Sequence, residues 1–215
     1  MNITLFTGTV IDLENFEDTE CDINIIDIIN SLHNEKRWFN VNLSHYPDIL
    51  THSYNVYRLM TSDNNKSHLS EFFGIVYLTH DFAEAIISDI PRPIKSMCPE
   101  IGELEQRLEK WMMPKFTGLD YPVIQAQHEM LKDYDIAIAI IELKKYGGMS
   151  NDEIGRYVDS RYINKNIERL INIREFELHN TITIPEFIKH YSFEHQLANG
   201  TIPVKAIGQY YTGLI

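Results

Sequence analysis

The stretch at residues 123–146 constrains the fold most. Asp135 is followed at once by Ile136, Ala137, Ile138, Ala139, Ile140 and Ile141, inside a segment that otherwise reads as one long helix. A helix that is apolar around most of its circumference is buried on most faces, so other elements have to surround it. A carboxylate entering such surroundings is costly unless it is paired or bound to a cation. Asp135 is therefore a candidate metal ligand. The alternative places it at the exposed margin of the helix, where Asp133 is expected.

Other segments carry apolar residues at helical spacing. Ile25, Ile26, Ile28, Ile29 and Leu32 make a stripe that ends near Asn34, and Tyr54, Val56, Tyr57, Leu59 and Met60 supply the apolar surface of a helix opened by His52. Ile101, Leu104, Leu108, Trp111 and Met112 recur every three or four residues opposite a charged face, which predicts an amphipathic helix ended by Pro114. Trp111 and the adjacent methionines belong to its core side. Residues 3–11, β-branched and aromatic around Gly8, suggest a short hairpin or extended arm. Residues 12–22 and 62–68 read as polar loops, and 97–100 as a turn.

A chain of 215 residues that is 44% hydrophobic can bury one sizeable core, so one domain with an extension is expected. Its formal charge of −12 and pI near 5.1 would repel an extended phosphate backbone, whereas a local cationic pocket can still hold a small anion. No nucleic-acid polymer is expected as a partner. Cys21 and Cys98 fit no zinc-finger spacing and are most simply reduced thiols. The first residues lack a basic segment followed by an apolar one, and no stretch approaches about eighteen uninterrupted apolar residues. A cytoplasmic protein without a membrane partner is the expectation.

Residues 77–95 hold the densest chemistry. Phe72, Phe73, Ile75, Val76 and Leu78 form an apolar run that length and composition favour as a buried helix, and the polar set stands at its end. On a continuous helix His80 and Glu84, four apart, and Asp81 and Glu84, three apart, would share one face. An imidazole and a carboxylate can hold a cation while a further carboxylate moves protons. The bland alternative is a solvated helix end. Upstream, Arg37 beside Trp38 could clamp a phosphate with a planar fork of donors while the ring covers a base. Otherwise Trp38 packs in the core and Arg37 pairs with a surface acid.

Taken in order, His52, His80-Asp81 and Asp135 make the pattern H…HD…D, and with it the chain resembles the HD-domain phosphohydrolase superfamily. More narrowly it is similar to the small phage and prophage HD hydrolases and the bacterial 5′-deoxynucleotidases. The resemblance covers residues 3 to about 146. It includes Phe6-Thr7-Gly8, Asp27-Ile28, Arg37-Trp38, His52-Ser53, the run 78–95 with Asp89-Ile90-Pro91-Arg92-Pro93-Ile94-Lys95, and Asp135 with Glu142 seven residues on.

The resemblance implies an all-α HD-domain bundle. It implies one divalent cation (Mn, Co, Fe or Zn) held by His52, His80, Asp81 and Asp135. Glu84 would take up or deliver the proton, and Asp89 would assist in activating the nucleophile or leaving group. Arg37 and Lys95 would bring positive charge to the phosphate, and Trp38 would cover the sugar or base. The substrate class implied is a deoxynucleoside 5′-phosphate: a monophosphate, or a triphosphate cut at the α-phosphate by activated water. An HD hydrolase of a cyclic or oligonucleotide signalling molecule and a non-enzymatic binding module are the alternatives. An Asn- and Ile-rich composition together with the phage resemblance favours a viral source, hence a host cytoplasm.

Two departures matter. Residues 40–51 differ from the Gly-His and Tyr-Ser-Val-Ala-Glu segments that phage members often show before the first His, which bears on base and sugar preference. Residues 150–215 form an extension beyond a 1–149 HD-type domain, with no counterpart in short family members. Ser150 with Asp152 and Glu153 reads as a helix start leading to Ile154, Tyr157, Val158 and Tyr162. A second helical stretch covers 163–173, residues 181–185 are extended, and the remainder mixes aromatics with Gly200 and Gly208. The extension could cap the bundle, cover the mouth of the site or make a homo-oligomer contact.

Overall fold

The computed structural model describes residues 1–38, 40–65, 73–173 and 176–200. Phe72, residues 66–68 of the expected polar loop and residues 201–215 of the tail lie outside the described residues. The fold is all-α, with one small hairpin. β1 (Asn2–Thr4) and β2 (Val10–Asp12) pair antiparallel with Ile3 opposite Ile11. Gly8 takes the positive φ of +95° that the connecting turn needs. Buried Asp27 fastens the turn by accepting from the Thr7 amide at 2.5 Å and the Thr7 hydroxyl at 2.8 Å.

α1 (Ile25–Asn34) begins where the Asn24 side chain accepts from the Ile26 amide, and it buries Ile28, Ile29 and Leu32. α2 (Ile49–Ser62) starts three residues before the expected opening at His52, because Asp48 caps it by accepting from the Thr51 amide at 2.7 Å. His52 thus stands in the first turn of α2, fully buried. α3 (Gly74–Thr79) is buried throughout.

The continuous helix expected through residues 80–84 does not form. α3 ends at Thr79, turns occupy residues 80–83, and α4 (Glu84–Ile87) is a separate single turn. The turn residues are held by short-range bonds, Phe82 N–H to Thr79 O and Glu84 N–H to Asp81 O, instead of the regular ladder.

α5 (Arg92–Met97) and α6 (Pro99–Thr117) meet at Cys98, so the expected turn at 97–100 contracts to one residue. Pro114 does not end α6. It lies inside the helix, where it lacks only one donor, and the helix stops at Gly118, whose left-handed φ of +71° lets its N–H reach the Pro114 carbonyl. Met112 and Met113 are buried, while Trp111 stacks edge-on to Phe16 and donates to the Thr19 carbonyl.

α7 (Tyr121–Gly147) is the long central helix, about 40 Å by its length. Residues 136–140 are buried as expected, and α2, α6 and α9 pack against it. α8 (Asn151–Ile154) opens with a complete Ser150–Glu153 capping box but lasts only one turn, and α9 (Lys165–Leu170) follows within the expected second stretch.

α10 (Ile184–Ala198) packs against α3, α6 and α1. The extended reading of 181–185 holds only to Thr183, since Ile184 and Pro185 open this helix, and beyond 185 no element is expected because two polar residues, His190 and Glu194, sit on its buried face and break the apolar stripe of Phe187, Phe193 and Leu197. The local start signal was nonetheless present: Thr183 caps Glu186, with Pro185 in the first turn. Among the described residues, no helix is long and apolar enough to cross a membrane.

Candidate metal centre and its cavity

α2, the α3–α4 junction and α7 bring His52, His80, Asp81 and Asp135 together. One ligand atom from each of His52, His80 and Asp81 lies within 4.8 Å of the others. Asp135 Oδ1 lies beside this group, 3.0 Å from His52 Nε2. First-row cations bonded to nitrogen or oxygen at roughly 2.0–2.2 Å hold their ligand atoms ~3–4.4 Å apart, a spacing close to that of the His52, His80 and Asp81 group.

Both imidazoles are anchored on the side away from that point. His52 Nδ1 is 2.8 Å from Glu142 Oε1, and His80 Nδ1 is 2.9 Å from the Tyr77 carbonyl. Carboxylate and carbonyl oxygens only accept, so each Nδ1 carries a proton; His52 Nε2, 3.0 Å from Asp135 Oδ1, faces an acceptor as well and would give up its proton on binding a cation, whereas His80 Nε2 is left with its lone pair. His80 Nε2 is buried without a hydrogen-bond partner among the described residues, although Asp81 Oδ1 is only 3.2 Å away out of hydrogen-bonding alignment. An orphaned lone pair aimed at two carboxylates and a second imidazole fits a cation.

The charges around His52 are strongly coupled. Burial and the Arg37 charge pull its pKa down, but Glu142 and Asp135 outweigh them and raise it to about 9. Burial works against ionisation of Asp135, yet the His52 hydrogen bond, His52 and His80 charges and Arg37 hold it well below the usual carboxylate range. Glu142, fully buried, is likewise kept ionised against burial by His52 and Arg37.

Arg37 and Trp38 reach the site because the chain after α1 doubles back. Arg37 N–H donates to the Pro47 carbonyl and Ile49 N–H to the Glu35 carbonyl, which pins this segment beside the start of α2. Trp38 Nε1–H then donates to Glu142 Oε2 at 2.8 Å, and the Arg37 guanidinium lies 3.5 Å from Glu142 and 3.9 Å from Asp81. Trp38 is partly buried and packs against the core, in keeping with one alternative, whereas Arg37 faces interior acids instead of a surface one. Glu142 was quoted in the sequence without a role. Its signal was its position two helical turns from Asp135, on the same face of α7.

Glu84 is buried, with Oε2 lacking a hydrogen-bond partner among the described residues and Oε1 3.9 Å from Lys95 Nζ. Burial, then Asp81 and Asp89, raise its pKa well above the ordinary value. Lys95 also pairs with Glu105 at 2.6 Å, and Arg92 lies 3.6 Å from Asp135. Glu105 and Arg92 are contributors that residue type alone did not single out.

These groups line a cavity of about 440 Å³. Asp81, Glu84, Asp89, Lys95 and Glu105 make a charged part, and Trp38, Ile136, Ala139, Tyr157 and Val158 an apolar one, with Arg37, Arg92, Arg156 and Asp135 also on the wall. Trp38 (φ +61°) and Ser88 (φ +68°) are the non-glycine residues with positive φ among those described; Trp38 lines this cavity and Ser88 precedes Asp89, which does too. Such strain costs on the order of 1–3 kcal/mol each and persists where surrounding contacts enforce it. Here they are the Trp38–Glu142 bond and the Glu35 carboxylate that accepts from the Asp89 amide at 2.9 Å.

No family model and no curated protein matches the sequence. Among solved structures the chain is similar to the cyanophage S-2L HD phosphohydrolase (DatZ) bound to dA and one catalytic Zn²⁺ ion, at 19% identity over 84% of this chain and 99% of that one, with a TM-score of 0.48.

Proposed function

We propose that the protein is a divalent-metal-dependent HD-domain phosphohydrolase of deoxynucleoside 5′-phosphates. The observation that carries this reading is the convergence of two Nδ1-anchored imidazoles with Asp81, Asp135 lying 3.0 Å from His52, beside a cavity whose wall includes both carboxylates. His52, His80, Asp81 and Asp135 would hold the cation, and two imidazoles with two carboxylates suit Mn²⁺, Co²⁺, Fe²⁺ or Zn²⁺. When bound, the cation supplies Lewis acidity, lowering the pKa of water and polarising a phosphoryl oxygen.

The chain's own residues do the rest. Glu84, whose pKa burial raises well above the ordinary carboxylate value, can take up a proton at Oε2 and release it to a leaving oxygen. Asp89, on the same wall, can accept from water. Arg37 and Lys95 bring positive charge to the phosphate, where negative charge shifts during the reaction. Trp38, locked through its N–H, offers a ring face to the sugar or base.

Residues 1–149 form the catalytic domain in this reading and 150–215 the extension, whose α9 and α10 pack on the bundle. The charge of −12 favours a small nucleotide over a nucleic-acid polymer as the partner.

The test is incubation of metal-stripped protein, resupplied with Mn²⁺, Co²⁺ or Zn²⁺, with each deoxynucleoside mono- and triphosphate. Nucleoside plus phosphate identifies a 5′-nucleotidase, and nucleoside plus triphosphate a triphosphohydrolase. Loss of turnover in His80→Ala with the fold retained supports the site; unchanged turnover refutes it.

A further inference from the structure

We propose that Tyr157, on the C-terminal extension, is a specificity-determining residue that forms with Trp38 an aromatic corner for the substrate's base. The inference rests on the nucleotide reading above and assigns the extension a part in the site.

The observations start with how the segment is seated. Ile154 and Val158 flank Tyr157 and are 2% and 6% exposed, so both neighbours are driven into the core. The Ser150–Glu153 capping box fixes the start of the segment. At its far end Tyr162 is covered by the Lys132 ammonium, 4.2 Å from the ring centre, and by Arg92 at 5.8 Å. Between these anchors Tyr157 stays 42% exposed and lines the cavity. Its phenol hydroxyl has no hydrogen-bond partner among the described residues. A large ring held on both sides yet left open is not explained by packing.

The opposing ring is Trp38. The two centroids are 6.4 Å apart and the planes meet at 86°, so the rings form a corner instead of a stack. A planar base can lie against one ring face while its edge meets the other, and the Tyr157 hydroxyl is available to a polar edge of that base.

Trp38 and Tyr157 share one cavity with Asp81, Asp89 and Lys95, so a phosphate at the charged groups and a base at the corner occupy the same space, and Ile136 and Ala139 add apolar surface to its wall.

Calorimetric titration of the metal-loaded full-length protein with the four deoxynucleosides tests this directly. Wild type should bind at least one of them. Tyr157→Ala should weaken that binding about 5- to 100-fold, the range of base–aromatic stacking. Tyr157→Phe should keep most of the affinity and change the ranking of the bases. Metal content should be the same in all three. Tyr157→Leu, which preserves apolar contact, serves if the alanine variant fails to fold. Equal affinity in wild type and the Ala or Leu variant overturns the proposal, as does a wild type that binds no deoxynucleoside. Binding that depends on Tyr157 without turnover of any nucleotide keeps the aromatic corner and rejects the hydrolase reading.

Discussion

Glu142 Oε1 stands 2.8 Å from His52 Nδ1, and Oε2 of the same carboxylate accepts from Trp38 Nε1–H at 2.8 Å. One buried acid therefore orients the His52 imidazole and a ring of the cavity wall at once. The orientation of the His52 ring and the shape of that wall are coupled through a single side chain.

Glu142→Gln should lower metal affinity by about 10- to 100-fold, because the imidazole loses a charged acceptor that holds its tautomer and raises its basicity. Competition against a chelator, with circular dichroism to confirm the fold, measures this. Unchanged affinity would mean that the His52 ring is held by packing alone.

Glu84→Gln should reduce kcat by roughly 10²–10⁴ while metal content stays near wild type, as expected for loss of a proton-transfer group outside the ligand set. A variant that instead loses its metal would place Glu84 among the ligands.

Arg169→Ala should destabilise the fold by about 3 kcal/mol. Arg169 clasps Asp63 with two bonds of 2.6 and 2.7 Å, Tyr134 donates a third at 2.8 Å, and Asp63 is 1% exposed. Truncation leaves a buried carboxylate without its cation and loosens α9 from α2 and α7. Urea unfolding reads the loss, and a change under about 1 kcal/mol would show that water replaces the guanidinium.

His190 makes stability fall on acidification. Burial, together with the charges of Lys189, Arg58 and His179, lowers its pKa to about 4 from 6.5. The unfolded chain then takes up a proton in this window that the folded chain refuses, so the stabilising contribution is complete above pH 6.5 and is lost as pH falls towards 4. His179, also lowered, adds to the same window. His190→Gln should flatten the dependence of unfolding free energy on pH between 6.5 and 4. The same slope in wild type and variant would assign it to other groups.

Much of this was legible without coordinates, for identifiable reasons. The stripe in α1, the amphipathic α6 and the apolar run of α7 are local periodicities, and burial follows them. Ser150 and Glu153 form their capping box because both partners lie within one turn. Misreadings arose where a local rule met a longer-range one. Pro114 was tolerated inside α6 because the next chain-reversing residue, Gly118, was four positions on. α10 was hidden because its buried face carries His190 and Glu194, whose partners Tyr54 and Tyr57 are more than a hundred residues away.

The sequence by itself determined which side chains could form the centre. His52, His80, Asp81 and Asp135 are a chemical inventory, and the apolar surroundings of Asp135 already demanded a partner. Only the tertiary structure decided how they face one another. The break between α3 and α4 turns His80, Asp81 and Glu84 towards different neighbours, where a continuous helix would have set them on one face. The Glu142 bridge between His52 and Trp38 and the return of Tyr157 to the cavity span separations of about a hundred residues. Periodicity cannot encode such contacts, because they depend on which helices pack together once the core has formed.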